Sequence, residues 1–83
     1  MVARNPVDRT TLRQLAPGNS GEVLGLTREG PLSQRLLELG FVAGAVVRVV
    51  RYAPFGDPIE VELNGCHLAM RRAEAEIVEV RVA

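Results

Sequence analysis

The only cysteine and the only histidine of this 83-residue sequence stand side by side, at Cys66 and His67. Thiolate and imidazole bind transition metals, and together they act as nucleophile and base in cysteine hydrolases. Adjacent residues of a strand point to opposite faces, so this pair cannot hold one ion or exchange one proton. We expect Cys66 to pack in the core and His67 to lie on the surface across from Glu62. A metal site at Glu62 and His67 would need further ligands from another chain or from solvent.

Carboxylates offer a second route to a metal site, because hard oxygen ligands suit divalent cations. The candidates are Asp57, Glu60, Glu62, Glu74, Glu76 and Glu79. Their spacing matches no defined metal-binding loop, and a solvated strand with outward glutamates looks the same. We expect a solvated acidic face and no required cofactor. Binding of a divalent metal, Fe(II) or zinc in a crystal, is the alternative.

The composition argues against several classes of protein. Ten arginines balance ten acids, and lysine is absent. This neutral charge, with only three aromatic residues, leaves no basic stripe or stacking platform for nucleic acid. No nucleophile, base and oxyanion donors can be assembled, so the sequence does not predict an enzyme.

The same features bear on location. A single cysteine favours a reducing compartment, and residues 1–10 lack the apolar core of a signal peptide. The longest run free of polar side chains, FVAGAVV, is too short to span a bilayer. We expect a cytoplasmic protein with no direct insertion into a membrane.

Hydrophobic period and turn residues predict the elements that position these side chains. Strands are predicted over 20–27, 45–52, 59–63, 66–70 and 77–82. One helix is predicted within 28–40, with Gly30 as N-cap, Pro31 in the first turn and Gly40 at the C-terminal cap. Five short strands with a helix after the first predict a small, partly open barrel in a mainly β domain. We expect this domain to span residues 11–83, after a flexible tail of residues 1–10.

Turn residues set the connections between these elements. They are Gly40, Gly44, Pro54, Gly56, Asn64 and Gly65. Asn64-Gly65 predicts a two-residue type I′ turn, which aligns Leu63 with Cys66, Val61 with Leu68 and Ile59 with Met70. After Gly40, Phe41 and Val42 are expected to enter the core.

Candidate partner contacts lie on the helix and after the hairpin. Leu32, Leu36 and Leu39 share one helical stripe and are expected in the core, which leaves Leu37, with Arg35, for a partner. Arg71 and Arg72 form the second candidate contact, because a guanidinium can dock a carboxylate or a phosphate. Solvated positive charge near Glu74 and Glu76 is the other interpretation of this pair.

An ordered set of segments resembles the FeoA family. These are PG (17–18), RLLELGFVAG (35–44), VVRVV (46–50), APFGDPIEV (53–61), NG (64–65) and LAMRRAEAEIVEV (68–80). The resemblance runs from about Leu12 to Arg81 and implies an SH3-like β-barrel with a helix inserted between its first two long strands. Cys66 departs from the pattern, since many relatives carry tyrosine or threonine there.

The resemblance also implies a function. It is that of a cytosolic accessory or regulatory protein of bacterial Fe(II) uptake, which binds the cytosolic part of the membrane transporter FeoB. The alternative is a metal-response adaptor module that acts on a repressor or another protein. The open barrel also exposes strand edges that could pair in a weak homo-oligomer.

Overall fold

The computed structural model describes residues 9–83. Most of the predicted N-terminal tail, residues 1–8, therefore lies outside the described residues. Arg9 and Thr10 open a strand, two residues before the predicted start of the domain.

Six strands form one antiparallel sheet, with two helices and one 3₁₀ turn between them. The strands are β1 (Arg9–Thr11), β2 (Ser20–Leu26), β3 (Val46–Tyr52), β4 (Ile59–Leu63), β5 (Cys66–Met70) and β6 (Val78–Val82). The helices are α1 (Pro31–Leu39) and α2 (Arg72–Ala75), and the 3₁₀ turn is Leu12–Gln14. The order in the sheet is β1-β6-β2-β3-β4-β5, so β1 and β5 are its two edges within residues 9–83.

The sequence predicts one strand fewer than the structure has. The additional strand is β1, which has no apolar alternation of its own and is held by pairing with β6. The other five strands and α1 lie where they are predicted. The mainly β fold with one helix of substantial length between β2 and β3 is therefore confirmed.

The core fills the inner face of the sheet and is closed by α1 and the 3₁₀ turn. Its fully buried side chains include Leu12, Val23, Leu36, Phe41, Val47, Val49, Ile59, Val61, Val78 and Val80. Leu12 in the 3₁₀ turn and Leu15 directly after it are both buried, which ties the segment after β1 to the barrel.

The buried face of α1 differs from the predicted leucine stripe. Leu36 is fully buried and Leu32 packs against the core, but Leu39 is 47% exposed. Ser33 is buried instead, and its hydroxyl donates to the Arg28 carbonyl at 2.6 Å. Successive residues of an α-helix are rotated by about 100° about its axis, so the centre of the buried face lies between Ser33 and Leu36. Leu39 therefore lies at one border of this buried face. The prediction that Leu39 packs in the core is therefore wrong.

Helix α1 ends at Gly40 in a Schellman motif. The Phe41 N–H donates to the Leu36 carbonyl at 3.0 Å, and the Gly40 N–H donates to the Leu37 carbonyl at 3.0 Å. Gly40 has φ = 116°, in the region that favours glycine. The motif places Phe41 in the core, as predicted. Val42 is 47% exposed, so the prediction that it enters the core is wrong.

The hairpin between β4 and β5 has the predicted register. Leu63 pairs with Cys66, Val61 with Leu68 and Ile59 with Met70. Asn64 and Gly65 both have positive φ, 49° and 89°, as a type I′ turn requires.

The prediction of a core position for Cys66 is wrong, because its side chain is exposed. Cys66 lies beside the turn at the end of an edge strand, so no further strand covers it. Its pairing partner Leu63 stays buried because β4 lies between two strands.

Candidate functional site

Three surface depressions beside the two helices contain the four predicted partner residues. Arg35 and Arg71 share one groove of about 400 Å³. We call it the arginine groove, and it is lined by Arg35, Asp57, Pro58, Ala69, Met70, Arg71 and Glu74. It therefore lies where α1, the turn between β3 and β4, and the end of β5 meet.

Glu74 organises the arginine groove. Its side chain is only 11% exposed, and it joins the start of α2 to α1. One carboxylate oxygen accepts the Arg71 N–H at 2.7 Å and so caps α2, while the other accepts from Arg35 at 2.9 Å. Arg35 lines the groove and its side chain is 63% exposed, so Glu74 engages only part of it.

Arg71 and Arg72 keep their guanidinium groups available. No carboxylate among residues 9–83 lies within 4.0 Å of either group. Arg72 lines an adjoining depression of about 310 Å³, which Asp57 shares with the arginine groove. The Arg72 backbone N–H donates to the Asp57 carboxylate at 3.1 Å, so Asp57 holds the start of α2 in place. Two exposed cations without a carboxylate partner in the described part of the chain thus lie next to one another at the end of β5.

Leu37 lies in a different depression from Arg35. It is 42% exposed and contributes to a groove of about 600 Å³ with Leu26 and Pro31 among its apolar walls. Residues two apart on a helix do not face each other, so α1 separates the two sites. Arg35 and Leu37, expected to form one surface, instead belong to two.

The outer face of β3, β4 and β5 carries rows of opposite charge. Arg48 donates to Glu62 at 3.1 Å, and the His67 ring nitrogen lies 3.6 Å from the same carboxylate. Arg51 and Glu60 form the neighbouring pair, and the hydrogen bond from Arg51 lowers the pKa of Glu60 below its ordinary value. Desolvation raises this pKa, whereas the charges of Arg51 and His67 lower it further. The same hydrogen bond raises the pKa of Arg51.

Five of the six candidate metal-binding acids are engaged with arginine side chains, and the sixth, Asp57, accepts the Arg72 backbone N–H. Glu60, Glu62, Glu74, Glu76 and Glu79 each lie within 4.0 Å of an arginine, at Arg51, Arg48, Arg35, Arg13 and Arg9 respectively. Within the described part of the chain, no three His, Cys, Asp or Glu side chains come close enough to hold an ion together. These residues therefore do not fit a metal site built from one chain alone.

The sequence assigns no partner-binding role to Asp57, Glu74 or Phe55. From the sequence, Asp57 is only a candidate metal ligand, and Glu74 is a candidate ligand or a charge near Arg71 and Arg72, whereas the structure places both in the arginine groove. Glu74 follows Arg71 by three residues, the spacing of a side chain that caps a helix, and that spacing could have indicated its position. Phe55 is 95% exposed in the turn between β3 and β4, between Pro54 and Gly56.

The fold defines a small SH3-like β-barrel domain with an open sheet and a charged groove at one end. In residues 9–83 no helix is long and apolar enough to cross a membrane. The family model for the FeoA domain matches residues 10–82. The chain therefore belongs to the FeoA domain family, a family of small accessory domains.

A bacterial fusion protein contains a segment that is similar to this chain in sequence. The chain is 31% identical over 71 residues to the Fe(2+) transport protein A/Fe(2+) transporter FeoB fusion protein of Porphyromonas gingivalis. That match covers 86% of this chain and only 8% of the fusion protein.

Two solved structures extend the comparison. The solution structure of FeoA from Chlorobium tepidum is 45% identical with a TM-score of 0.80, over 88% of this chain and 70% of that chain. The FeoA of Stenotrophomonas maltophilia, an SH3 domain protein complexed with zinc, is 35% identical with a TM-score of 0.76. That match covers 86% of this chain and 88% of that one.

Proposed function

We propose that the chain is a cytoplasmic accessory or regulatory protein of bacterial Fe(II) uptake that binds the cytosolic part of a FeoB-type transporter. The observation that carries this proposal is the Porphyromonas gingivalis relative, in which Fe(2+) transport protein A is fused to the transporter FeoB. Covalent fusion holds two modules at high effective concentration, which favours modules that work in contact with each other.

The arginine groove supports a binding role and suggests where the contact lies. Arg71 and Arg72 are exposed and unpaired within residues 9–83, and Arg35 is only partly engaged by Glu74. A guanidinium forms short, charge-assisted hydrogen bonds with a carboxylate and can do so with two donors at once. Leu37, in the groove across α1, is the candidate for a second, apolar contact with the same partner.

The proposed activity needs neither catalysis nor a bound metal. Five of the six candidate metal-binding acids are held in ion pairs with arginines, so the protein is expected to act through its binding surface. Its neutral charge argues against nucleic acid as a competing partner.

Iron uptake in cells tests this function. We expect a strain that lacks the gene to take up less radiolabelled Fe(II), and the wild-type gene to restore uptake. Normal uptake without the gene would overturn the proposal. The double variant Arg71→Ala/Arg72→Ala should restore uptake poorly, whereas Arg81→Ala should restore it fully. Arg81 is a suitable control because its side chain is 55% exposed on β6, lies 3.8 Å from Glu22 and lines none of the three grooves.

A further inference from the structure

The edge strand β5 carries two residues whose backbone groups point away from the sheet. In a two-residue hairpin the pair next to the turn is hydrogen-bonded, and bonded and non-bonded pairs then alternate. The register therefore directs the backbone groups of Cys66, Leu68 and Met70 toward β4. Those of His67 and Ala69 face outward, and no backbone partner for either occurs in residues 9–83 outside this ladder.

Edge strands of soluble proteins usually contain a charged residue, a proline or a bulge that prevents another strand from pairing with them. Strand β5 contains few such features. Its sequence, CHLAM, contains no proline, lysine or acid, and it pairs with β4 without a bulge. The opposite edge is β1, which has only three residues and begins with an arginine. Strand β5 is therefore the edge at which another strand can add.

The free edge runs directly into the arginine groove. Ala69, Met70 and Arg71 line that groove, and Ala69 shares a face of the strand with His67. The Arg71 backbone is already used by α2: its N–H donates to Glu74, and its carbonyl accepts from Glu74 and Ala75 at 2.9 and 3.0 Å. Added pairing must stop at the end of β5, where the Arg71 guanidinium is still available.

We infer that β5 binds an extended segment of the transporter's cytosolic part by antiparallel strand addition, and that an acidic side chain of this segment binds Arg71 in the arginine groove. The inference rests on the proposed function and names the mode of contact. The segment exchanges two hydrogen bonds with each of His67 and Ala69 and then passes over the groove. Its carboxylate complements the guanidinium of Arg71, which has no ion-pair partner among residues 9–83, and the exposed part of Arg35.

Ala69→Pro tests the strand addition directly. The Ala69 N–H faces away from β4, so proline removes no bond of the folded sheet but removes a donor to the added strand. We expect its Kd for the purified FeoB transporter of the same organism to rise at least about tenfold. Ala69→Val keeps the N–H and reports the effect of a larger side chain in the groove, so the Kd of Ala69→Pro should exceed that of Ala69→Val by at least about tenfold. Thermal melts of both variants show whether each is folded.

Two further measurements separate the edge from the groove. Arg71→Ala should weaken binding about fivefold or more, while the control Arg81→Ala, on β6 and outside the three grooves, should leave it unchanged. Amide hydrogen exchange at His67 and Ala69 should be fast in the free protein and slow in the complex. Leu68, which bonds within the sheet, should be protected in both.

The outcomes distinguish this inference from the proposed function. If the wild type does not bind the transporter, both are overturned. If the wild type and a folded Ala69→Pro variant bind equally, the strand addition is wrong and the proposed function stands. If Ala69→Pro abolishes only self-association in sedimentation experiments, the edge is occupied by a second copy and the inference is overturned.

Discussion

Replacing Glu74 with alanine should reveal what holds α2 and the arginine groove together. The carboxylate accepts one bond from the Arg71 N–H, at 2.7 Å, and one from the Arg35 guanidinium, at 2.9 Å. The first is a largely buried, charge-assisted bond worth about 1.5–3 kcal/mol. The second involves an arginine that is 63% exposed, so water replaces it readily and it contributes about 1 kcal/mol or less.

The helix cap should therefore dominate over the ion pair. We expect Glu74→Ala to lower the free energy of unfolding by about 3 kcal/mol and Arg35→Ala by about 1 kcal/mol or less. Glu74→Gln retains an oxygen for the Arg71 N–H and should cost about 1 kcal/mol. A protein of 83 residues has a total stability of roughly 4–12 kcal/mol, so the loss from Glu74→Ala is a large fraction of it.

Urea denaturation followed by circular dichroism measures these differences, with unchanged m-values as the check that the unfolding reaction is the same. The melting temperature of Glu74→Ala should fall by roughly 12–24 °C. Equal losses for Glu74→Ala and Arg35→Ala would refute the reasoning, because they would show that the ion pair carries the stability.

Three further predictions concern stability. Gly40→Ala should cost at least about 1 kcal/mol, because φ is 116°, and an unchanged thermal melt would contradict the helix cap. Phe41→Ala should cost about 3–5 kcal/mol in urea melts but Leu39→Ala only about 0.5 kcal/mol, and similar losses would contradict the observed buried face. Arg51 lowers the pKa of Glu60 in the folded state, so the ionised Glu60 side chain stabilises the fold. This stabilisation is fully present above the ordinary glutamate pKa of about 4.3, and it is lost as the pH falls through the lower pKa of the folded state. The stability difference between wild type and Glu60→Gln should therefore shrink from about pH 7 to about pH 3, and a constant difference would contradict the assignment.

The parts of the fold that follow from local rules were predictable from the sequence. The Asn64-Gly65 turn and the alternation of Ile59–Leu63 determine the hairpin register, because a slip of one residue would expose the whole apolar set. Pro31 and Gly40 mark the two ends of α1 because each suits a backbone conformation found there.

The remaining features depend on contacts between distant segments. β1 is held only by its partner strand, and the exposure of Cys66 depends on which strand lies at the edge. Arg35 and Glu74 are 39 residues apart, so no local pattern indicates that they meet. The sequence therefore identified candidate arginines but not the groove that joins two of them.

Titration of the purified protein against the cytosolic part of the FeoB transporter from the same organism tests the central claim most directly. We predict saturable, one-to-one binding that weakens when Arg71 and Arg72 are replaced by alanine and is unchanged in Arg81→Ala. The absence of saturable binding, with and without GTP and Fe(II), would contradict the claim that this FeoA-family protein acts by binding the transporter.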